Sequence, residues 1–181
     1  IKELRSQSVK ILKSIYDEVD DTGEKNISII NKSLRRKVDV VFAYWYNSDK
    51  YEQEKNEYYR GIYLYKFPHG PKNSQADYPF AHIANVNYKG KETSDGSKRG
   101  IRLLKTLRAD CETNLELLKS FQLTTIVHNI KNTDLLYNRG GELNIARAIS
   151  AEMGLIIDNP VYRKAIASPN GVENPFTNDN I

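Results

Sequence analysis

The chain contains one cysteine, one methionine and one tryptophan in 181 residues, with only three histidines and six prolines. A single thiol, Cys111, cannot close an internal disulfide, which excludes a disulfide-stapled secreted scaffold. His69, His82 and His128 lie far apart and, with one cysteine, offer no zinc-binding spacing. No apolar run approaches the roughly 20 residues a membrane-spanning helix needs, and no charged-then-apolar leader opens the chain. These absences predict a cytoplasmic protein with no membrane partner. The GxxxxGK[ST] phosphate loop, the GxGxxG turn, the GxSxG elbow and the HExxH zinc motif are also missing.

What is present is a globular composition: 39% hydrophobic, 28% charged, and twelve tyrosines. That suffices for one sizeable domain or two small layers. The net charge of +4 and pI near 9.0 suit anionic partners such as nucleotides or nucleic acid without selecting them.

Periodicity orders the elements. Ile1, Leu4, Ile11, Leu12, Ile15 and Val19 predict a first amphipathic helix over Ile1–Val19, stopped by Asp20-Asp21-Thr22-Gly23. Strands are expected at Asn26–Ile30, Val38–Tyr46 and Tyr58–Phe67, joined by the basic loop Lys32–Lys37 and the polar connector Asn47–Glu57. After the Pro/Gly-rich loop Phe67–Tyr78 the chain turns helical. Helices are expected from a Thr93/Ser94 cap to about Asp110 with Ile101, Leu104 and Leu107 inward, over Leu115–Asn129, over Gly141–Gly154 with Gly154 as its stop, and over Pro160–Ala167. The tail SPNGVENPF reads as turns with a Phe anchor. This is an α+β pattern, a sheet-bearing part over 1–88 and a helical part over 89–181, with a ligand expected in a groove between the layers.

Three features bear on chemistry. In KVDVVFAYWY (37–46), Asp39 stands in an apolar and aromatic run, sharing a face with Lys37, Val41 and Ala43. A carboxylate there needs donors, a cation or water, so it is either a solvent-facing strand residue paired with a Lys or a metal ligand. In SDGSKRGIRLLKTLRAD, Lys98, Arg102 and Lys105 recur at i, i+4 and i+7, a stripe that either holds phosphates or is a solvated face. In LLKSFQLTTIVHN, Ser120 and Phe121 either contact a phosphate and a base or are a mid-helix serine bonded to its preceding turn and a core phenylalanine. Gly96-Ser97-Lys98-Arg99-Gly100 resembles a phosphate loop only superficially. His128 is assigned no role.

Taken in order, VDVVFAY, RGIYLYKF, YPFAHI, KRGIRLLKTLRAD, KSFQLTTIVHNI and ASPNGVENPF resemble the later two-thirds of bacterial cGAS/DncV-like nucleotidyltransferases, the polymerase-β-type enzymes related to oligoadenylate synthase. The resemblance covers nearly the whole chain and implies a mixed or antiparallel nucleotidyltransferase sheet (1–88) packed against a C-terminal helical bundle (89–181). It implies joining of nucleoside triphosphates into linear or cyclic oligonucleotide messengers in anti-phage defence, with two Mg²⁺ ions, or Mn²⁺ in their place, held by three carboxylates. Asp39 matches the third carboxylate, catalytic and metal-binding. Lys105 matches the lysine on the donor triphosphate, Ser120 the helix serine on the same phosphates, and Phe121 the aromatic that stacks on a base. Arg102 and Lys98 rest on the stripe alone.

Two departures follow. Phe42 stands where the family often has Pro. The family's Gly-Ser turn with its Asp-x-Asp or Glu-x-Asp strand is expected before Ile1 and is absent from these 181 residues; the acidic run Asp17–Asp21 ends a helix and does not replace it. This chain alone is therefore expected to be inactive, needing an N-terminal segment from the same or another chain. The alternatives are a non-catalytic nucleotide- or RNA-binding module, and a structural helical-bundle protein with an incidental Asp.

Overall fold

The computed structural model describes residues 1–31, 36–70, 76–111 and 118–176. Among them the chain forms two compact units, Ile1–Tyr78 and Pro79–Ile181. The division falls at 78/79 rather than at the expected 88/89, because Pro79–Glu92 is one unbroken helix.

The first unit holds helix α1 (Lys2–Ile15), strands β1 (Val19–Asp20), β2 (Asn26–Asn31), β3 (Arg36–Val41) and β4 (Ala43–Asn47), helix α2 (Asp49–Glu54) and strand β5 (Arg60–Leu64). All pairings are antiparallel, in two small sheets: β1-β2-β3 and β4-β5. The run predicted as one strand, Val38–Tyr46, is therefore two. Phe42 divides them: its side chain is 8% exposed, in a cluster with Ile27 and Tyr65, while its carbonyl accepts the Tyr65 N–H at 2.8 Å. Turning inward there releases the following residues to a new partner, and β4 pairs with β5 from Ala43↔Leu64 to Asn47↔Arg60. The polar connector is ordered locally by α2, whose N-cap Ser48 accepts the Tyr51 N–H.

Helix α1 ends at Ile15, and Val19 is already strand. Its inner face is Ile1, Val9 and Leu12 against the small core, with Arg5 in the register between them. Arg5 is buried because its guanidinium donates to the carbonyls of Asp21 and Gly23 at 2.9 and 2.8 Å and lies over the Phe67 ring. Leu4, Ile11 and Ile15, expected to be inward, stand 55–64% exposed; spacings of seven and four put them on a second stripe.

The second unit contains α3 (Pro79–Glu92), α4 (Gly96–Asp110), α5 (Ser120–Asn129), α6 (Asn132–Leu135), α7 (Glu142–Asp158) and α8 (Pro160–Ala165). Leu104, Leu123, Ile126, Val127, Ile145 and Ile149 form the centre of one apolar cluster, closed at the tail by Ile166 and Phe176. Phe176 is thus the anchor its tail position predicted. Leu107, predicted inward, is 56% exposed. Helix α7 runs through Gly154 to Asp158, since helical geometry accommodates a glycine and Ile156 is still buried in the core; Asn159 ends it and caps α8 before Pro160.

The α3–α4 turn is tight. The Thr93 hydroxyl accepts the Ser97 N–H at 3.0 Å, and a Cβ on Gly96 would lie 1.7 Å from the Leu135 carbonyl oxygen. Gly96 is therefore a packing residue, not part of a phosphate loop. Residues 167–176 strap the bundle: Asn85 donates to the Pro169 carbonyl, Asn129 to Ala167 and Gln122 to Pro175, at 2.6–3.0 Å.

Candidate functional site

In the first unit, Asp39 lies on β3 opposite Ser28, which in turn lies opposite Asp20 on β1. Paired residues share a face, so the three form a row across the sheet. The Asp39 Oδ1 accepts from the Ser28 hydroxyl at 2.6 Å and from the Asn26 amide at 2.8 Å. Lys37 Nζ is 3.9 Å away, and both side chains of that pair are about half exposed or more, so this contact is loose and worth little. The Ser28 hydrogen bond, followed by Asn26 and Lys37, holds the Asp39 carboxyl below its usual pKa against a desolvation effect of opposite sign. Asp39 is thus neither buried in an apolar run nor locked to a lysine: two neutral donors and water keep it ionised. It shares its face with Lys37 and Val41 as predicted, but not with Ala43, which belongs to the other sheet.

Among the described residues no donor reaches Asp39 Oδ2, and no group of three or more His, Cys, Asp or Glu side chains is placed to hold a metal. Asp39 suits the role of one metal ligand and supplies no second. The acidic run nearby is engaged locally: Asp20 accepts from the Thr22 N–H and hydroxyl, and Asp21 pairs with Lys13 at 3.0 Å.

The second unit brings most of the other candidates together. A pocket of about 480 Å³ opens between α3, α4 and α5, with Lys98, Arg102 and Lys105 along one wall, His82, Val86 and Asn87 along another, and Ile101 and Thr124 between them. Lys98 approaches Asp95 at 3.5 Å; among the described residues Arg102 and Lys105 form no ion pair and are exposed. The stripe predicted from spacing therefore borders a shallow, open pocket and is solvated as well.

Ser120 is not mid-helix. It is the first residue of α5, and its hydroxyl accepts from Arg108 at 3.3 Å while the same guanidinium donates to the Leu118 carbonyl at 2.7 Å. The helix start predicted at Leu115 lies outside the described residues. Phe121 is half-buried and absent from the buried core; its ring stacks on His82, centroids 5.4 Å apart and planes 24° from parallel. Behind it, burial first, then the charges of Lys89 and His82, push the His128 pKa down to about 4, leaving that side chain neutral. Sequence reasoning missed His82, Asn87, Thr124 and Arg108. The first two follow i, i+5 spacing along α3, a helix visible only weakly in YPFAHIANVNYKGKE.

No family model matches the chain. Relatives do. A c-di-GMP synthase from Flavobacteriaceae sp. genome_bin_11 is 32% identical over 99% of this chain. The solved structure of the STING-associated CdnE c-di-GMP synthase from Capnocytophaga granulosa superposes with a TM-score of 0.82 at 32% identity over 98% of the chain. The chain belongs to the cGAS/DncV-like nucleotidyltransferases. At 21% identity and a TM-score of 0.70, the Elizabethkingia meningoseptica CdnE cyclic dinucleotide synthase, solved with GTP and Apcpp, shares the fold over 97% of this chain. The chain spans 49% of the Flavobacteriaceae relative's length and 56% of the Capnocytophaga chain, about half the length of the relatives it matches. No helix among the described residues is long and apolar enough to cross a membrane.

Proposed function

We propose that this chain is part of a nucleotidyltransferase that joins nucleoside triphosphates into linear or cyclic oligonucleotide messengers, acting in the cytoplasm in anti-phage signalling. The observation that carries this reading is the basic pocket of the second unit, where Arg102 and Lys105, which form no ion pair among the described residues, stand with His82, on which the ring of Phe121 stacks. Exposed cations without such partners suit polyphosphate, and a half-buried aromatic ring suits a base. In this reading Lys105 and Arg102, with Lys98 beside them, hold the donor triphosphate, Ser120 contacts the same phosphates, and Phe121 stacks on the base. Asp39 supplies one of three carboxylates. Two Mg²⁺ ions, or Mn²⁺, would supply hydroxyl activation and charge stabilisation at the leaving oxygen.

Asp39's own part is to remain ionised and oriented, which the Ser28 and Asn26 hydrogen bonds support. The other two carboxylates come from outside these 181 residues, so the chain by itself binds nucleotide and makes no product. One observation favours the second reading, a non-catalytic nucleotide- or RNA-binding module: Asp39 has no acidic partners placed to hold a metal among the described residues.

The deciding experiment incubates full-length protein with Mg²⁺ and the four labelled ribonucleoside triphosphates. Product should disappear in Asp39→Asn while nucleotide binding persists. Arg102→Ala and Lys105→Ala should each weaken triphosphate binding about tenfold, the equivalent of ~1.4 kcal/mol. Product unchanged in Asp39→Asn would remove Asp39 from the mechanism; binding with no product in the full-length wild type would establish the binding module.

A further inference from the structure

His82 belongs to two structures at once. Its ring is stacked on Phe121 at 5.4 Å and 24°, and the same side chain lines the pocket whose opposite wall carries Arg102 and Lys105. Phe121 is the second residue of α5, half-buried and outside the buried core. An aromatic side chain in that position, left to itself, samples several rotamers and exposes both faces. Contact with a second ring at this distance is within the favourable range for offset stacking. It covers one face of Phe121, so a base would have to stack on the opposite one.

His82 stands on an anchored helix. It sits on α3, and Val86, one turn on, lines the same wall, while Asn85 ties that helix to the strap through the Pro169 carbonyl. The imidazole thus projects from a tethered backbone, and its ring is the surface against which the phenyl ring lies. A ring oriented in advance loses less conformational freedom when a ligand stacks on it, and affinity rises by that difference.

We propose that His82 is a positioning residue that braces Phe121 for stacking on the base of a nucleoside triphosphate whose phosphates lie along Arg102 and Lys105. The proposal rests on the nucleotide-site reading above and extends it to a residue on a third helix. Its signature is selectivity: His82 supports the base end of the ligand and not the phosphate end.

The test compares two probes on full-length protein by calorimetry: inorganic tripolyphosphate, which has no base, and non-hydrolysable analogues of the four ribonucleoside triphosphates. In His82→Ala, the best-bound analogue should weaken roughly 3- to 10-fold, part of the range stacking contributes per base, while tripolyphosphate stays within about twofold. His82→Phe, which keeps a ring against Phe121, should restore nucleotide affinity. In a Phe121→Leu background, His82→Ala should have no further effect, because the two residues act as one unit.

Equal loss of both probes in His82→Ala, or no loss of either, overturns the proposal, as does failure of His82→Phe to restore binding. If His82→Ala does not fold, the His82→Phe result and a full additional loss in a Phe121→Leu/His82→Leu pair decide the matter in the same way. Wild-type protein that binds every nucleotide analogue no better than tripolyphosphate overturns the nucleotide-site reading itself, before any variant is made.

Discussion

The two units solve the same problem with unequal resources. Among the described residues, the helical unit gathers Leu123, Ile126, Val127, Ile145 and Ile149 with six further buried side chains in one cluster, whereas the cluster of the sheet unit has three buried members, Ile27, Phe42 and Tyr65. Both units leave large apolar side chains half exposed or more, among them Leu4, Ile11 and Ile15 in the first and Leu143, Ile157 and Val161 in the second, so the contrast lies in the cores. Stability follows buried apolar area, so the helical unit draws more of it from its core. The sheet unit depends more on polar devices such as Arg5 against the Asp21 and Gly23 carbonyls. The difference teaches where the candidate residues stand: the basic pocket on the unit with the larger core, and Asp39 on the unit with the smaller one.

The comparison can be broken most severely at Gly96. Because a Cβ there would meet the Leu135 carbonyl oxygen at 1.7 Å, Gly96→Ala should prevent the α3–α4 turn from closing and cost the second unit about 3 kcal/mol or more; a circular-dichroism melt superimposable on wild type would show that the turn relaxes freely. Next in size are two core truncations. Leu123→Ala, 1% exposed and surrounded by the large cluster, should cost about 3 kcal/mol in urea unfolding. Ile27→Ala should cost less although it is equally buried, because Val19 and Val40 at its border are partly exposed and free to collapse on the gap. Equal costs would erase the contrast between the cores.

A gentler probe is pH. The His128 pKa falls from 6.5 to about 4 on folding, so the unfolded chain takes up the proton first and acid favours unfolding. The second unit should be fully stabilised above pH 6.5 and lose stability as pH falls from 6.5 towards 4, whereas Asp20 and Asp39 of the first unit, held below the usual carboxylate value of 3.8, lose their contribution only below that. Hydrogen exchange at pH 7 and pH 4.5 should show weakened protection in the helices before the sheets, and His128→Gln should flatten the trend. The smallest expected change is a gain: Gly154→Ala, inside α7 with no atom within 4 Å of the added Cβ, should raise stability by roughly 0.5–1 kcal/mol, and a loss would mean that α7 does not run through that position in solution.

Element order and class were legible because helix and strand periods differ and the order of turn signals is clear. The stripe Lys98, Arg102, Lys105 was legible for the same reason. The break at Phe42 was not: a continuous β-branched and aromatic run carries no mark of where one sheet hands the chain to another, and only the inward turn of one ring decides it. Gly154 misled because a glycine signals a helix end only when the chain needs a left-handed residue there, and this one does not. Arg5 hid a buried position behind a charge that satisfies carbonyls from another segment. His82 was invisible for a different reason: its value lies in a ring 39 positions away, and nothing local announces such a partner.

The strap over residues 167–176 is read by its neighbours through main-chain oxygens: Asn85, Asn129 and Gln122 all donate to carbonyls of Pro169, Ala167 and Pro175. A carbonyl is the same whichever side chain accompanies it. Its placement is not: Ser168 donates to Asn170 within the segment, and Asn174 donates to the Arg163 carbonyl of α8, so the clasp has two halves, amides that grip the main chain and polar side chains that hold that main chain in the shape to be gripped.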